Sequence, residues 1–148
     1  MKIAIASDHA AVALNAVLAD WLRTAGHIVD DLGTDGEASV DYPDFGYRLA
    51  RHVADGKAER GVALCGTGIG ISIAVNRNPL VRCALVSEPL SAALAREHND
   101  ANVIAMGARI IGPEMAKACL SAFLTTPFGG ERHAGRVAKL ARPPKWQA

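Results

Sequence analysis

Residues 61–72 read GVALCGTGIGIS, which passes from a short apolar strand through a glycine-rich turn into a helix. Gly66, Gly68 and Gly70 occupy alternate positions directly after the strand. Glycine allows the backbone to approach another group closely, and a turn of this kind directs bare N–H groups at an anion. The segment therefore predicts a parallel sheet covered by helices, with an anion-binding loop at the edge of the sheet.

The same alternation of strands and helices continues on both sides of this segment. Apolar, β-branched runs predict strands at 2–6, 27–31, 61–65, 82–87 and 102–106. Helical patterns cover about 10–25 and 43–54, follow the prolines at 89 and 113, and recur at 131–140. We predict one α/β domain over residues 1–148, a doubly wound three-layer sandwich with a five-stranded parallel sheet, in which 142–148 form an irregular tail.

Charge and hydropathy exclude several classes of function. The chain has 148 residues, with 16 Lys and Arg against 15 Asp and Glu and a formal net charge of +1, so it lacks the basic footprint of a nucleic-acid-binding protein. No apolar run reaches the roughly 18 residues of a membrane span, and the N-terminus lacks the pattern of a secretory signal. We expect a cytoplasmic protein that binds neither nucleic acid nor membrane.

Cysteine spacing argues against a disulfide framework or a structural metal site. Cys65, Cys83 and Cys119 are odd in number and form no CxxC or Cys/His pattern. Cys83 falls in a predicted buried strand and Cys119 on an apolar helix face, so both are expected to pack rather than react. Only Cys65 adjoins the glycine loop. We expect no metal and no cofactor.

The glycine loop does not match the common nucleotide-binding motifs. No Gly-Lys-Ser/Thr follows it, and Ile71 stands where a dinucleotide fingerprint counted from Gly66 requires glycine. A cysteine beside a loop that stabilises anions suits a reaction that creates a negative oxygen, with the thiolate of Cys65 as base or nucleophile.

Six segments together resemble the type B ribose-5-phosphate isomerases, a family that also includes galactose-6-phosphate isomerase subunits and tetrose-phosphate isomerases. The resemblance runs collinearly from residue 1 to about 140. The segments are SDHA at 7–10, DYPD at 41–44, CGTGIGISIAVN at 65–76, SEP at 87–89, HNDANV at 98–103, and RH at 132–133 with Arg136. Some members carry glutamate at the position of Ile71 in place of the cysteine, so this chain resembles the cysteine-based group.

This resemblance implies an enediolate isomerisation of a sugar phosphate, with ribose 5-phosphate and ribulose 5-phosphate as the leading pair. It implies Cys65 as the proton-transfer base, Thr67 as an assisting hydroxyl and His98 as the group that opens the furanose ring. The implied substrate-binding residues are Asp8, Tyr42 and Asn99 at the sugar hydroxyls, His9, Arg109, Arg132 and Arg136 at the phosphate, and Gly66, Gly68, Gly70 and Ser72 as backbone donors. The resemblance also implies at least a homodimer, in which the His98 region and some arginines reach the partner's Cys65 loop.

Taken alone, several of these residues have other interpretations. Arg132 and Arg136 are four apart and share a helix face, which suits a solvated surface as well as a phosphate. His98 and Asn99 could end a helix, Asp41 could serve only as a helix N-cap, and His133 could face solvent.

Three alternatives to the leading function stay open. One is an isomerase of a tetrose or hexose phosphate, since such enzymes share the proton transfer and differ in the distance from phosphate to carbon 1. Another is a non-catalytic sensor of sugar phosphates, in which Cys65 only packs. The last is a thiol-dependent hydrolase or redox protein, which lacks support because no CxxC or triad pattern is present.

Overall fold

A computed structural model describes residues 1–144 of the chain. Its strands are β1 (Lys2–Ser7), β2 (Ile28–Asp31), β3 (Arg60–Cys65), β4 (Cys83–Leu85) and β5 (Val103–Gly107). Its helices are α1 (Val12–Thr24), α2 (Tyr42–Ala54), α3 (Ile69–Val75), α4 (Pro89–Asn99), α5 (Pro113–Thr125) and α6 (Glu131–Leu140). The predicted α/β class and the five-stranded parallel sheet are confirmed.

The sheet has the strand order β2-β1-β3-β5-β4, and every neighbouring pair is parallel. The chain runs outward from β1 to β2 and then returns to place β3 on the other side of β1. The carboxyl ends of β1 and β3 are therefore adjacent, with Ser7 in register with Leu64. This reversal in strand order is where open α/β sheets bind their ligands.

Side chains of alternating size separate the two faces of the sheet. On one face Ile3, Ile5 and Leu64 join a core that includes buried residues of α1, α4 and α5. On the other face Ala4 and Ala6 lie in a core with residues of α2 and α3. Small side chains on this second face let α2 and α3 pack close to the strands. This packing brings the first turns of both helices to the carboxyl edge of the sheet.

Gly46 shows how closely α2 and α3 pack. A Cβ atom at Gly46 would lie 2.8 Å from the Cβ of Ala74 and 3.2 Å from the carbonyl oxygen of Ile71. Only hydrogen fits between the two helices at this point, so Gly46 is required by packing although it lies inside a helix, where glycine is normally unfavourable.

Some predicted boundaries differ from the structure. The helix predicted from about residue 10 begins instead with a 3-10 turn at His9–Ala11, because Asp8 caps that turn through the N–H of Ala10 at 3.0 Å. The strand predicted at 82–87 is confined to Cys83–Leu85 at the edge of the sheet, where Cys83 is half-buried rather than buried. Asp41 precedes α2, but its side chain makes no capping hydrogen bond.

Residues 142–144 of the expected tail lie outside helices and strands, and 145–148 fall outside the described residues. Across residues 1–144, every helix is too short or too polar to cross a membrane.

Gly46 is buried inside α2 and Gly135 is exposed in α6, so substitutions at these two glycines test this packing. Gly46→Ala should lower the free energy of unfolding by about 1–3 kcal/mol, because the added methyl group overpacks the α2–α3 contact. Gly135→Ala in α6 should raise it by about 0.5–1 kcal/mol, because a Cβ there meets no atom within 4 Å and alanine is the better helix former. Urea unfolding of both variants measures the difference. Equal shifts in the same direction would contradict the packing argument.

Candidate active site

A cavity of about 220 Å³ opens at the carboxyl edge of the sheet, where β1 and β3 end. The first turns after β1, β3 and β5 and the start of α2 supply its walls. The residues that line it are Asp8, His9, Ala10, Tyr42, Cys65, Gly66, Thr67, Gly70 and Arg109. Eight of the residues predicted for the site are thus brought together in one chain.

Cys65 is the last residue of β3 and only 4% exposed. The backbone N–H of Gly68 donates a hydrogen bond to its Sγ at 3.1 Å. This bond requires Gly68 to adopt a left-handed conformation with φ of 76°, and a Cβ there would lie 2.8 Å from the carbonyl carbon of Met106. The loop therefore places a backbone hydrogen-bond donor directly at the sulfur of Cys65.

Other hydrogen-bond donors of the loop belong to residues that line the cavity. Thr67 is exposed, and its Oγ1 accepts a hydrogen bond from the N–H of Ile69 at 3.3 Å, which leaves the hydroxyl proton for another acceptor. The N–H groups of Thr67 and Gly70 have no acceptor within residues 1–144. These N–H groups and the hydroxyl of Thr67 belong to residues that line the cavity beside Cys65.

Tyr42 closes the cavity from the side of α2. A Cβ at Gly70 would lie 2.5 Å from the Tyr42 ring, so the ring rests directly on the backbone of α3. Glycine at position 70 is needed for this contact, and the ring in turn covers one wall of the cavity.

His9 and Asp8 lie at the end of β1. The N–H of Val40 donates to Nδ1 of His9 at 3.2 Å, so Nδ1 is the unprotonated nitrogen and the ring presents Nε2–H as a donor. Asp8 is 5% exposed and uses Oδ1 to accept the N–H of Ala10. Its other oxygen stays available to accept a hydrogen bond from a ligand hydroxyl.

Arg109 provides positive charge at the cavity. Its backbone N–H donates to the carbonyl of Gly66 at 2.9 Å, and its guanidinium lies over Gly66, where a Cβ would be 3.3 Å from Nη1. Arg109 forms no ion pair with a carboxylate of residues 1–144, so its charge is available to an anionic ligand.

Two of the predicted loop donors point elsewhere in the structure. The N–H of Gly68 is used by Cys65, and Ser72 donates its hydroxyl to the carbonyl of Ile69 at 2.7 Å. The N–H of Ser72 bonds to the carbonyl of Gly68 at 3.1 Å. These two residues shape the loop but do not line the cavity of a single chain.

A second group of predicted residues lies at the opposite edge of the sheet. His98 and Asn99 end α4, shortly before Asn102, whose carbonyl accepts the N–H of Gly61 at the beginning of β3. Cys65 is four residues further along β3, about 13 Å away at the usual strand rise. Within one chain, His98 and Asn99 are therefore separated from the Cys65 cavity by the length of the strand.

Arg132 and Arg136 belong to this second group because α6 packs on α4. The ring of His133 stacks on that of His98 with centroids 4.4 Å apart, and Arg132 Nε lies 3.4 Å from Nε2 of His133. Desolvation lowers the pKa of His133, and the charges of His98, Arg132 and Arg136 add to this shift. A neutral His133 can accept the hydrogen bond from Arg132.

Sequence reasoning missed the contributions of Val40 and His133. Val40 acts only through its backbone N–H, which leaves no trace in residue type. The sequence leaves the role of His133 open, although the residue stands next to Arg132 in the RH segment. Among residues 1–144, no group of His, Cys, Asp and Glu side chains is arranged to hold a metal ion.

Comparison with known proteins shows extensive similarity. A family profile described as Ribose/Galactose Isomerase matches residues 3–140. The chain is 42% identical over 139 residues to ribose-5-phosphate isomerase B of Escherichia coli K12, covering 94% of this chain and 93% of that protein. It is 44% identical over 142 residues to a D-erythrulose-4-phosphate isomerase of Pectobacterium atrosepticum, with 95% and 93% covered. The solved structure of a Clostridium thermocellum ribose-5-phosphate isomerase B matches with a TM-score of 0.94 at 46% identity, covering 95% of both chains.

The three cysteines should differ in reactivity. Burial raises the pKa of the thiols of Cys83 and Cys119, whereas the sulfur of Cys65 accepts a hydrogen bond from the N–H of Gly68. Iodoacetamide at pH 8 should therefore alkylate Cys65 at least about tenfold faster than either of the others. Peptide mapping by mass spectrometry measures the three rates, with Cys65→Ser as the control. Preferential labelling of Cys83 would contradict this assignment.

Proposed function

Since this chain belongs to the ribose/galactose isomerase family and is a sugar-phosphate aldose–ketose isomerase, we propose that it interconverts ribose 5-phosphate and ribulose 5-phosphate with Cys65 as base. The observation that carries the assignment of the base is the hydrogen bond from Gly68 N–H to Cys65 Sγ inside a cavity that also holds Arg109. A nearly buried sulfur with a backbone donor aimed at it is suited to abstract a proton from carbon.

In the proposed reaction the thiolate of Cys65 removes the proton from carbon 2 of the open-chain aldose. The electron pair of that bond forms the carbon 1–carbon 2 double bond, and the aldehyde oxygen becomes the oxygen of an enediolate. Cys65 then returns the proton to carbon 1, while the hydroxyl on carbon 2 passes its proton to the oxygen on carbon 1, so that carbon 2 becomes the ketone and carbon 1 carries a hydroxyl. No group beyond the substrate and the side chains of the site is consumed.

The loop donors support stabilisation of the enediolate. The N–H groups of Thr67 and Gly70 and the hydroxyl of Thr67 belong to residues that line the cavity in which the oxygens would lie. One well-placed donor of this kind typically contributes about 3 kcal/mol to the transition state. Thr67 is also placed to move a proton between the two neighbouring oxygens, while Asp8 and Tyr42 would bind the other sugar hydroxyls.

The site of one chain lacks part of what the reaction needs. Its cavity of about 220 Å³ is smaller than the roughly 300–1,000 Å³ of typical ligand pockets. Arg132, Arg136, His98 and Asn99 gather at the far edge of the sheet, where no cysteine of the loop reaches them. We therefore propose a homodimer in which this second group completes the partner's cavity, with the two arginines and His9 and Arg109 at the phosphate.

Ribose 5-phosphate is mostly cyclic, so an isomerase that uses it must open the furanose ring before proton transfer. We assign this step to His98, because its ring is held by stacking on His133 and lies beside Asn99 in the second group. A tetrose 4-phosphate cannot form such a ring. The 44% identity to a D-erythrulose-4-phosphate isomerase makes a tetrose phosphate the second candidate substrate.

A panel of sugar phosphates tests the substrate. We expect kcat/KM for ribose 5-phosphate to exceed that for erythrose 4-phosphate and allose 6-phosphate by at least about tenfold, a difference of roughly 1.4 kcal/mol in transition-state binding. The reverse preference would replace the pentose by a tetrose or hexose substrate. Binding of ribose 5-phosphate without turnover of any of the three sugars would instead indicate a sensor.

The role of Cys65 can be tested by substitution. Cys65→Ala should lower kcat for ribose 5-phosphate by roughly 10³-fold, because it removes the base but leaves the phosphate contacts. Cys119→Ala is the matched control, since Cys119 is fully buried in α5 and should affect stability rather than turnover. Near-normal turnover of Cys65→Ala would exclude it as the base.

Subunit mixing tests whether the two groups of residues meet across a dimer. Arg136→Ala alone should raise KM more than it lowers kcat, because phosphate is bound in both ground and transition states. In an equal mixture of Arg136→Ala and Cys65→Ala chains, half of the dimers contain one chain of each variant. Each such dimer has one intact site out of two, so about a quarter of parental activity should return. Absence of recovery under verified exchange would place both residues in the site of one chain.

A further inference from the structure

We propose that Asp100 is a positioning residue, which together with Arg82 and Arg96 holds the end of α4 so that His98 and Asn99 can complete the active site. This inference rests on the proposed function, in which His98 and Asn99 act on the substrate. Asp100 itself faces the two arginines rather than the Cys65 cavity.

The backbone of Asp100 is unusual. It follows α4 in the left-handed conformation, with φ of 45° and ψ of 42°, and the helix closes through the bond from Ala101 N–H to the carbonyl of Ala95 at 2.9 Å. The positions that end α1 and α2 in the same region of conformational space are Gly26 and Gly56. Glycine is the default residue for such a helix end, so an aspartate here indicates that its side chain is needed.

The carboxylate of Asp100 joins two arginines. Oδ1 accepts from Arg96 Nη1 at 2.8 Å, and Oδ2 accepts from Arg82 Nη2 at 3.0 Å. Arg96 is 4% exposed, and a guanidinium buried to this extent requires a counter-charge. Asp100 supplies that charge and at the same time fixes the orientation of both guanidinium groups.

Once oriented, the arginines bind the backbone around His98 and Asn99. Arg82 Nε donates to the carbonyl of Asn99 at 3.1 Å and to that of Asp100 at 2.9 Å. Arg96 Nη1 donates to the carbonyl of Ala101 at 2.6 Å. Three successive carbonyl groups thus accept hydrogen bonds from these two arginines, which fixes the end of α4.

The C-terminal end of α4 also supports α6. None of the residues of α6 is buried, and the helix is held against α4 by the stack of His133 on His98. The segment before α6 is tied to the same helix by the bond from Gly129 N–H to the carbonyl of Glu97 at 2.8 Å. A shift at the end of α4 would therefore displace Arg132 and Arg136 together with His98 and Asn99.

A suitable test must separate this role from ordinary stability. Asp100→Gly keeps the left-handed conformation but leaves Arg96 buried without a counter-charge, so the main variant combines it with Arg96→Met, which removes that charge and keeps much of the side-chain volume. Asp100→Asn is the conservative variant, because asparagine tolerates the same backbone and retains one acceptor. Gly56→Asp is the matched control, which places aspartate at the left-handed end of α2, a helix that packs on the opposite face of the sheet from α4.

The measurements are kcat/KM for ribose 5-phosphate and the imidazole signals of His98 and His133 in ¹H–¹³C NMR. We expect kcat/KM of the double variant to fall about 10- to 100-fold, as when a reacting group is misplaced by about 1 Å, and Asp100→Asn to recover part of this loss. The ring-current shifts from the His98–His133 stack should diminish in the double variant and persist in Gly56→Asp.

The outcomes that would overturn the role of Asp100 differ from the one that would overturn the role of His98. If the double variant is folded and retains parental kcat/KM and histidine signals, Asp100 only supports the fold and the inference is wrong. If the double variant does not fold, Asp100→Asn decides in the same way, since unchanged kinetics and spectra would overturn the inference. His98→Ala with undiminished turnover would refute the proposed role of His98, and with it the premise of the inference.

Discussion

A backbone contact too close for any Cβ atom holds the loop after β3 against the end of β5. A Cβ at Gly107 would lie 2.5 Å from the carbonyl carbon of Thr67, and one at Gly68 would lie 3.0 Å from the N of Gly107. The loop can turn back over the sheet only because both positions are glycine, and this turn directs the N–H of Gly68 at the sulfur of Cys65. The cavity, the free donors of the loop and the place of Arg109 over Gly66 all follow from this contact.

The architecture of a parallel sheet explains why the residues proposed for the reaction are divided between two edges. Each strand delivers its last residues to the carboxyl edge, while each returning helix delivers its last residues to the amino edge. Asp8, Cys65 and Arg109 reach the first edge at the ends of strands, whereas His98 and Asn99 reach the second at the end of a helix. A second copy of the chain is a simple means of bringing two such edges together, because one surface can be used twice under two-fold symmetry.

The sequence predicts much of this fold because its signals are local. Alternating apolar strands and capped helices predict the five strands, and the glycines of residues 66–70 predict the loop that carries Cys65. Contacts between distant segments have no such signal. The hydrogen bond from Val40 to His9 depends on a backbone N–H, the insertion of β5 between β3 and β4 on tertiary packing, and the left-handed conformation of Asp100 on two arginines from other positions. The HNDANV segment was visible in the sequence, but the partners of its aspartate were not.

The strand order determines which strands can pair first while the protein is synthesised on the ribosome. β4 lies at the edge of the sheet, and its neighbour there is β5, which is made some twenty residues later. Until β5 emerges, the short apolar strand at 83–85 has no partner with which to pair its backbone groups. β1, β2 and β3, in contrast, can pair as soon as residue 65 is available. The order of synthesis therefore allows the strands before the cysteine loop to pair first, and the half of the molecule that carries His98 is added last.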